Sequence, residues 1–313
     1  MEVLSVLHAI CLGLRCPINK LNHKDSFENL TLLNHSNMLI CCSVLNIFSV
    51  AKSCALLAPV ILLCFSPQVI PELRVQDGGP KGAGVLGIHL EGPFISEEKR
   101  GAHPSKFLRT FKAGGVANLM ETYGYLDNVA MVTLAPELAN SAAAIRELSG
   151  RGIAVSLGHS MADLSQAEEA VQHGATFITH LFNAMLPFHH RDPGIVGLLT
   201  SDRVPPGRTV YYGMIADGIH THPAALRIAH RAHPAGLVLV TDAVMAMGLP
   251  PGRHTLGQQQ IDIQGLHAYV AGLRHVLSAF SVHYGCCFVD FIVLDDTLTL
   301  RETYIAGQQV WRK

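Results

Sequence analysis

From about residue 85 onward the chain alternates short apolar runs with amphipathic stretches. Residues 85–90 (V-L-G-I-H-L) are apolar up to Glu91, and Gly92-Pro93 then turns the chain. A buried strand closed by punctuation has this pattern. Residues 128–134, 153–157, 176–179, 210–215 and 237–240 repeat it. Between these runs, residues 116–123, 138–148, 160–172 and 223–232 carry helical spacing, the last with a proline near its first position. Ser160-Met161-Ala162-Asp163 reads as a capping box with Asp in place of Glu, and Gly150, Gly152 and Gly174 act as helix stops. Strands that alternate with helices imply a parallel sheet.

Each of the six runs ends in an acid or a histidine, or places one just beyond. Functional groups repeated at strand carboxyl ends favour a (β/α)8 barrel. A doubly wound sheet is the alternative. It concentrates its chemistry at one switch point, and no G-x-G-x-x-G or Walker A loop marks one here.

Both ends of the chain depart from this pattern. Residues 258–270 alternate like a hairpin, residues 272–287 show no clear period, and residues 289–311 read as short antiparallel strands around Ala306-Gly307. Residues 38–65 are apolar and cysteine-rich, and Lys52 splits them into two runs shorter than the ~20 residues of a membrane span. A membrane anchor there is disfavoured, and a cytoplasmic chain is expected. Asn29-Leu30-Thr31 and Asn34-His35-Ser36 fit the glycosylation pattern but need a secretory context to matter. The expected organisation is an unmatched apolar region at 1–70, a barrel at 71–272, a join at 273–287 and strands of a small β domain at 288–313.

Composition narrows the function. The 313 residues suffice for one large domain or two ordinary ones, and 49% are apolar. A net charge of -1 provides no basic field for nucleic acid. Eight cysteines fall in the two ends with no C-x-x-C pair, which argues against a cysteine zinc site or a disulfide framework. Eighteen histidines leave room for metal binding.

Glu91, His159, His180 and Asp242 are the natural set. They lie far apart in sequence but would converge on one barrel rim. Zn²⁺ accepts two imidazoles and a carboxylate and keeps a position open for water, whose pKa it lowers to about 7. A separate Asp can take and return the proton. The competing reading is that His159 and His180 are core histidines bonded to neighbours.

The motifs E-G-P-F, S-L-G-H-S, T-H-L-F-N-A-M, A-D-G-I-H and V-T-D-A occur in that order. Together they resemble the N-acetylglucosamine-6-phosphate deacetylase family of the amidohydrolase superfamily, its animal branch above all. The resemblance runs from about residue 71 to 272 and again weakly from 290 to 311. It implies hydrolytic removal of the acetyl group from N-acetylglucosamine 6-phosphate, in amino-sugar catabolism. By that resemblance Glu91, His159 and His180 bind one divalent metal, with zinc favoured. Asp242 is the general base and then the acid, and His103 helps polarise the acetyl carbonyl. Backbone at Ala102 lies near the substrate. Asn183, Ala184, Arg191 and His220 match positions that hold the sugar phosphate, and the arginine can reach across a homodimer interface. Glu137 is expected to orient the rim, and His189-His190 to be loop structure.

The resemblance has gaps. The family begins with a small β domain and then two barrel strands, and residues 1–70 show neither strand, so six of eight strands are recognisable. A substrate loop and a helical layer are absent after Gly272. Two alternatives therefore stand beside the deacetylase: another amidohydrolase, and an inactive or binding-only isoform.

Overall fold

The computed structural model describes residues 87–240 continuously, together with Asp242, residues 250–256 and strand segments on either side. Its centre is a parallel sheet. Among the described residues the first strands are β1 (Met38–Ile40) and β2 (Val60–Leu62), and β3 (Ile88–Glu91) follows. Helix α1 (Val116–Tyr123) leads to β4 (Val129–Leu134), and α2 (Ser141–Gly150) to β5 (Ala154–Leu157). Helix α3 (Leu164–His173) precedes β6 (Phe177–Ile178). Strand β7 (Tyr211–Ile215), helix α4 (Pro223–Ala232) and strand β8 (Leu237–Val240) complete the unit.

Strands β2 to β8 form one sheet in sequential order, and every neighbouring pair is parallel. Sequential order is that of a (β/α) barrel. In a doubly wound sheet the order would reverse at a switch point. All six expected strands are present. The structure adds a seventh, β2, in the region where the sequence showed no barrel strand, with Leu62 level with Glu91. A three-residue apolar strand inside a longer apolar run has no boundary that periodicity can detect. The two matches to the glycosylation pattern and most of the apolar region lie outside the described residues. Among the described residues no helix is long and apolar enough to cross a membrane.

The pleat sorts the side chains. Ile88 and Leu90, Val132 and Leu134, Val155 and Leu157, Ile178, Tyr212 and Met214 point to one face and are buried. They pack with the apolar faces of the helices into a single core: Leu119 of α1, Ala144, Ile145 and Leu148 of α2, Ala170 and Val171 of α3, and Leu226 and Ala229 of α4. These residues recur at three- and four-residue spacing, as an amphipathic helix requires. The opposite face of the same strands carries His89, Glu91, Thr133 and Ser156, which are polar and also buried. The interior of the sheet is therefore where the chemistry lies.

One cap differs from expectation. Helix α3 starts at Leu164, capped by Asp163. The carboxylate of Asp163 accepts from the Gln166 N–H at 2.8 Å, while the Gln166 side chain accepts from the Asp163 N–H at 3.1 Å. The expected Ser160 cap does not form. Its hydroxyl donates to Glu137 Oε2 at 2.7 Å and lies 2.9 Å from the Ala162 N–H, which donates to it.

Beyond β8 the sheets are antiparallel. Strands β9 (Gly252–Leu256), β10 (Gln259–Gln264), β11 (His267–Val270) and β12 (Val276–Ala279) form one. The hairpin read from the 258–270 alternation is β10–β11. Strand β12 lies where no period was visible. Strands β13 (Phe291–Leu294), β14 (Leu300–Ile305) and β15 (Gln308–Arg312) form the expected C-terminal β unit, joined by β1 through β13.

Candidate metal centre and active site

Three ligand-type atoms meet at the carboxyl ends of β3, β5 and β6. Glu91 is the last residue of β3, His159 stands two residues beyond β5, and His180 two beyond β6. His159 Nε2 lies 2.7 Å from Glu91 Oε1, His180 Nε2 lies 3.4 Å from the same oxygen, and the two Nε2 atoms are 3.1 Å apart. All three residues are buried.

The backbone is bent to make this meeting. His159, His180 and Asp242 have φ of 49°, 27° and 49°. Left-handed backbone at a residue with a side chain costs about 1–3 kcal/mol and persists where the surroundings hold it. Here it turns the chain sharply at each strand end. Tyr123 steadies β3 by donating its hydroxyl to the Gly92 carbonyl at 3.0 Å, and Phe94 stacks on Phe111 with ring centroids 4.2 Å apart.

The outer nitrogens set the tautomers. His159 Nδ1 lies 2.7 Å from the Lys99 carbonyl and His180 Nδ1 lies 3.2 Å from the Asn183 carbonyl. A carbonyl only accepts, so each Nδ1 carries a proton and donates it. In the neutral imidazoles Nε2 is then a bare lone pair. Two such lone pairs and a carboxylate oxygen face one another with nothing positive between them, which is an arrangement that calls for a cation or a proton. A tetrahedral metal with bonds of 2.0–2.1 Å holds its donors about 3.3 Å apart, close to the spacing seen. The donor set fits a divalent metal.

Without a metal, a proton takes that place. Burial pulls the His180 pKa down, but the hydrogen bond and charge of Glu91, with the charge of Asp242, lift it to about 9. Burial, with the charges of His180 and His103, holds His159 below its ordinary value against the pull of Glu91. Burial would raise Glu91, yet its contacts with His103, His159 and His180 hold it well below the usual carboxylate range. Asp242 is pushed up to about 6 by burial and by the negative charge of Glu91, opposed by His180, His159 and His220. It therefore lies within electrostatic reach of the whole cluster.

His103 is buried at the same place, with Nε2 3.8 Å from Glu91 Oε1 and its ring edge-on to His159 at 4.8 Å. Glu91, His103 and His159 can also surround a cation, with ligand atoms all within 4.8 Å. The triangle through His180 is tighter, and His180 has the carbonyl-fixed tautomer. A Cβ added at Gly101, which has φ +57°, would lie 3.5 Å from His159 Cε1, so the turn that contains Ala102 passes close to the site.

The expected substrate residues lie on the loops after β6 and β7. The Asn183 amide donates to the Thr221 hydroxyl at 3.4 Å. Ala184, at φ 50°, accepts from the Ser160 N–H at 3.1 Å. His220 Nδ1 is paired with Asp217 Oδ2 at 2.6 Å, and Asp217 Oδ1 accepts from the Ile219 and His220 N–H groups. Asp217 thus shapes the loop around His220. Arg191 is exposed. Glu137 takes hydrogen bonds from the Ser160 hydroxyl and the Met161 N–H at 2.7 and 2.6 Å, so it orients the turn after His159. His189 and His190 stack obliquely at 4.5 Å on an exposed loop. Sequence reasoning missed the polar residues below the rim, His89, Thr133, Ser156 and Thr179. Only the strand register, which sets Thr133 beside Ser156, marks them as one layer.

No family model matches the chain. It is 76% identical to the N-acetylglucosamine-6-phosphate deacetylase of Danio rerio over 286 residues, which is 79% of this chain and 70% of that protein. It is 58% identical to the human protein of that name over 285 residues, covering 78% of this chain and 69% of the other. The crystal structure of N-acetyl-D-glucosamine-6-phosphate deacetylase from Mycobacterium smegmatis superposes with a TM-score of 0.59 at 29% identity, covering 72% of this chain and 69% of that one.

Proposed function

The chain belongs to the N-acetylglucosamine-6-phosphate deacetylase family, and from that premise we infer how its residues carry the reaction. It is a metal-dependent hydrolase that converts N-acetylglucosamine 6-phosphate and water to glucosamine 6-phosphate and acetate, a step of amino-sugar catabolism. Glu91, His159 and His180 hold one divalent ion. Two imidazoles and a carboxylate favour zinc. When bound, the ion supplies Lewis acidity, which makes water a stronger acid and a carbonyl a better electrophile.

The chain's own groups do the rest. Asp242 stands within electrostatic reach of Glu91, His159 and His180 and is the carboxylate beside the ligand set that can exchange protons. It takes a proton from the attacking water as the new C–O bond forms at the acetyl carbon. It returns that proton to the nitrogen as the C–N bond breaks, so the amine leaves neutral together with acetic acid, which gives up the second water proton to solvent and becomes acetate. His103, buried against His159, is placed to donate to the acetyl oxygen as negative charge builds there. Asn183, Ala184 and backbone at Ala102 line the approach, and His220, oriented by Asp217, and Arg191 bind the phosphate. The exposed position of Arg191 suits a homodimer in which it serves the neighbouring site.

The observation that carries this reading is the convergence of Glu91 Oε1 with two imidazole lone pairs, 2.7–3.4 Å apart, whose outer nitrogens are fixed by backbone carbonyls. Amine release from N-acetylglucosamine 6-phosphate by zinc-loaded protein tests it. Turnover that disappears in Asp242→Asn supports the assignment. Folded, metal-loaded protein without turnover supports a binding-only chain instead.

A further inference from the structure

Below the ligands lies a second polar layer that the deacetylation does not use. His89 precedes Glu91 by two residues on β3 and shares its face. Its Nε2 lies 2.7 Å from Thr133 Oγ1. Thr133 Oγ1 lies 2.8 Å from Thr179 Oγ1, which is bonded in turn to Ser156 Oγ. All four residues are buried. They come from β3, β4 and β5 and from the residue directly after β6.

These are the strands that place the ligands. Glu91 ends β3, His159 lies three residues beyond Ser156, and His180 is bonded directly to Thr179. Strand β4 supplies no ligand but stands between β3 and β5, and Thr133 bridges that gap. Gly158 makes room for the layer, because a Cβ there would lie 2.6 Å from Thr179 Cβ and 3.3 Å from Thr133 Cγ2. The layer also has a cost. His89 Nδ1 is buried without a hydrogen-bond partner among the described residues, and an unpartnered buried polar group destabilises a fold. Apolar side chains of the same shape would fill these positions without that penalty. A polar chain kept despite it is better explained by the spacing it fixes.

We infer that Thr133, Ser156 and Thr179, closed at one end by His89, are positioning residues for the metal centre. Their hydrogen bonds fix the lateral spacing of β3, β5 and β6, and with it the triangle formed by Glu91, His159 and His180. This rests on the metal reading above. Groups that orient metal ligands typically contribute about 10–100-fold to metal affinity.

The test is zinc affinity by competition with a chromophoric chelator, beside the visible spectrum of the Co²⁺-substituted protein. Thr179→Val keeps the shape and removes the hydroxyl. It should weaken zinc binding about 10–100-fold and shift the Co²⁺ bands, and Thr179→Ser should restore both. Ser156→Ala, at the far end of the chain, should act in the same direction and serves if Thr179→Val does not fold. Wild-type affinity and an unchanged Co²⁺ spectrum in both Thr179→Val and Ser156→Ala would overturn the inference, whatever their thermal stability. Failure of the wild-type protein to bind zinc would instead remove the metal reading on which it rests.

Discussion

Gly158→Ala probes the layer beneath the metal from its other side. The backbone φ at Gly158 is not in the left-handed region, so an alanine meets no conformational barrier there. The whole effect is steric. The added Cβ would lie 2.6 Å from Thr179 Cβ, whereas ordinary contact begins at 3.4 Å. Thr179 must therefore give way by about 0.8 Å. It is held by Thr133 and Ser156 on one side and by its N–H bond to the Leu157 carbonyl, at 2.9 Å, on the other. Overpacking of this kind costs about 1–3 kcal/mol. The shift also exceeds the ~0.5 Å tolerance of a preorganised site, and His180 is the next residue. Denaturant unfolding of the metal-free protein and zinc competition should both register the change. Gly150→Ala is the control, since nothing lies within 4 Å of its added Cβ; at the end of α2 it should be neutral or slightly stabilising. Gly158→Ala with wild-type stability and wild-type zinc affinity would refute the packing argument.

Two further outcomes follow from the same geometry. His180 keeps a proton up to about pH 9 in the metal-free protein, so zinc must displace it. Affinity should rise about tenfold per pH unit below 9, with one proton released from this residue, and level off above; proton release measured in buffers of different ionisation enthalpy would expose a pH-independent affinity, which would sink the assignment. Asp163→Ala removes the side-chain cap of α3 and should lower the unfolding free energy by about 1 kcal/mol while leaving zinc affinity intact, since that helix end supplies no ligand. An unchanged denaturation midpoint would show that the cap contributes nothing.

Much of this was legible in the sequence because each inward-facing functional residue ends an apolar run. Glu91, His159 and His180 interrupt hydrophobic patterns at strand ends, where a buried polar group has a high cost unless it is used. The strand–helix alternation implied the parallel sheet, and the repeat of functional groups at strand ends favoured the barrel order that the structure shows. Strand β2 was not legible, because a three-residue strand within a longer apolar segment has no visible edges. The cap of α3 was misplaced by three residues because Ser160 and Asp163 both fit an N-cap position. Only the structure shows that the Ser160 hydroxyl is taken by Glu137. The layer formed by His89, Thr133, Ser156 and Thr179 was missed because threonine and serine in strands carry no signal alone. Their meaning lies in the register, which sets Thr133 beside Ser156.

The central claim is that His180, and not His103, completes the metal triangle with Glu91 and His159. Zinc titration of the wild-type, His180→Ala and His103→Ala proteins tests it directly. The account predicts one equivalent of zinc in the wild type, loss of tight binding in His180→Ala, and retained binding with impaired turnover in His103→Ala. Tight binding that survives His180→Ala but is lost in His103→Ala would contradict it and move the ion to the other side of His159.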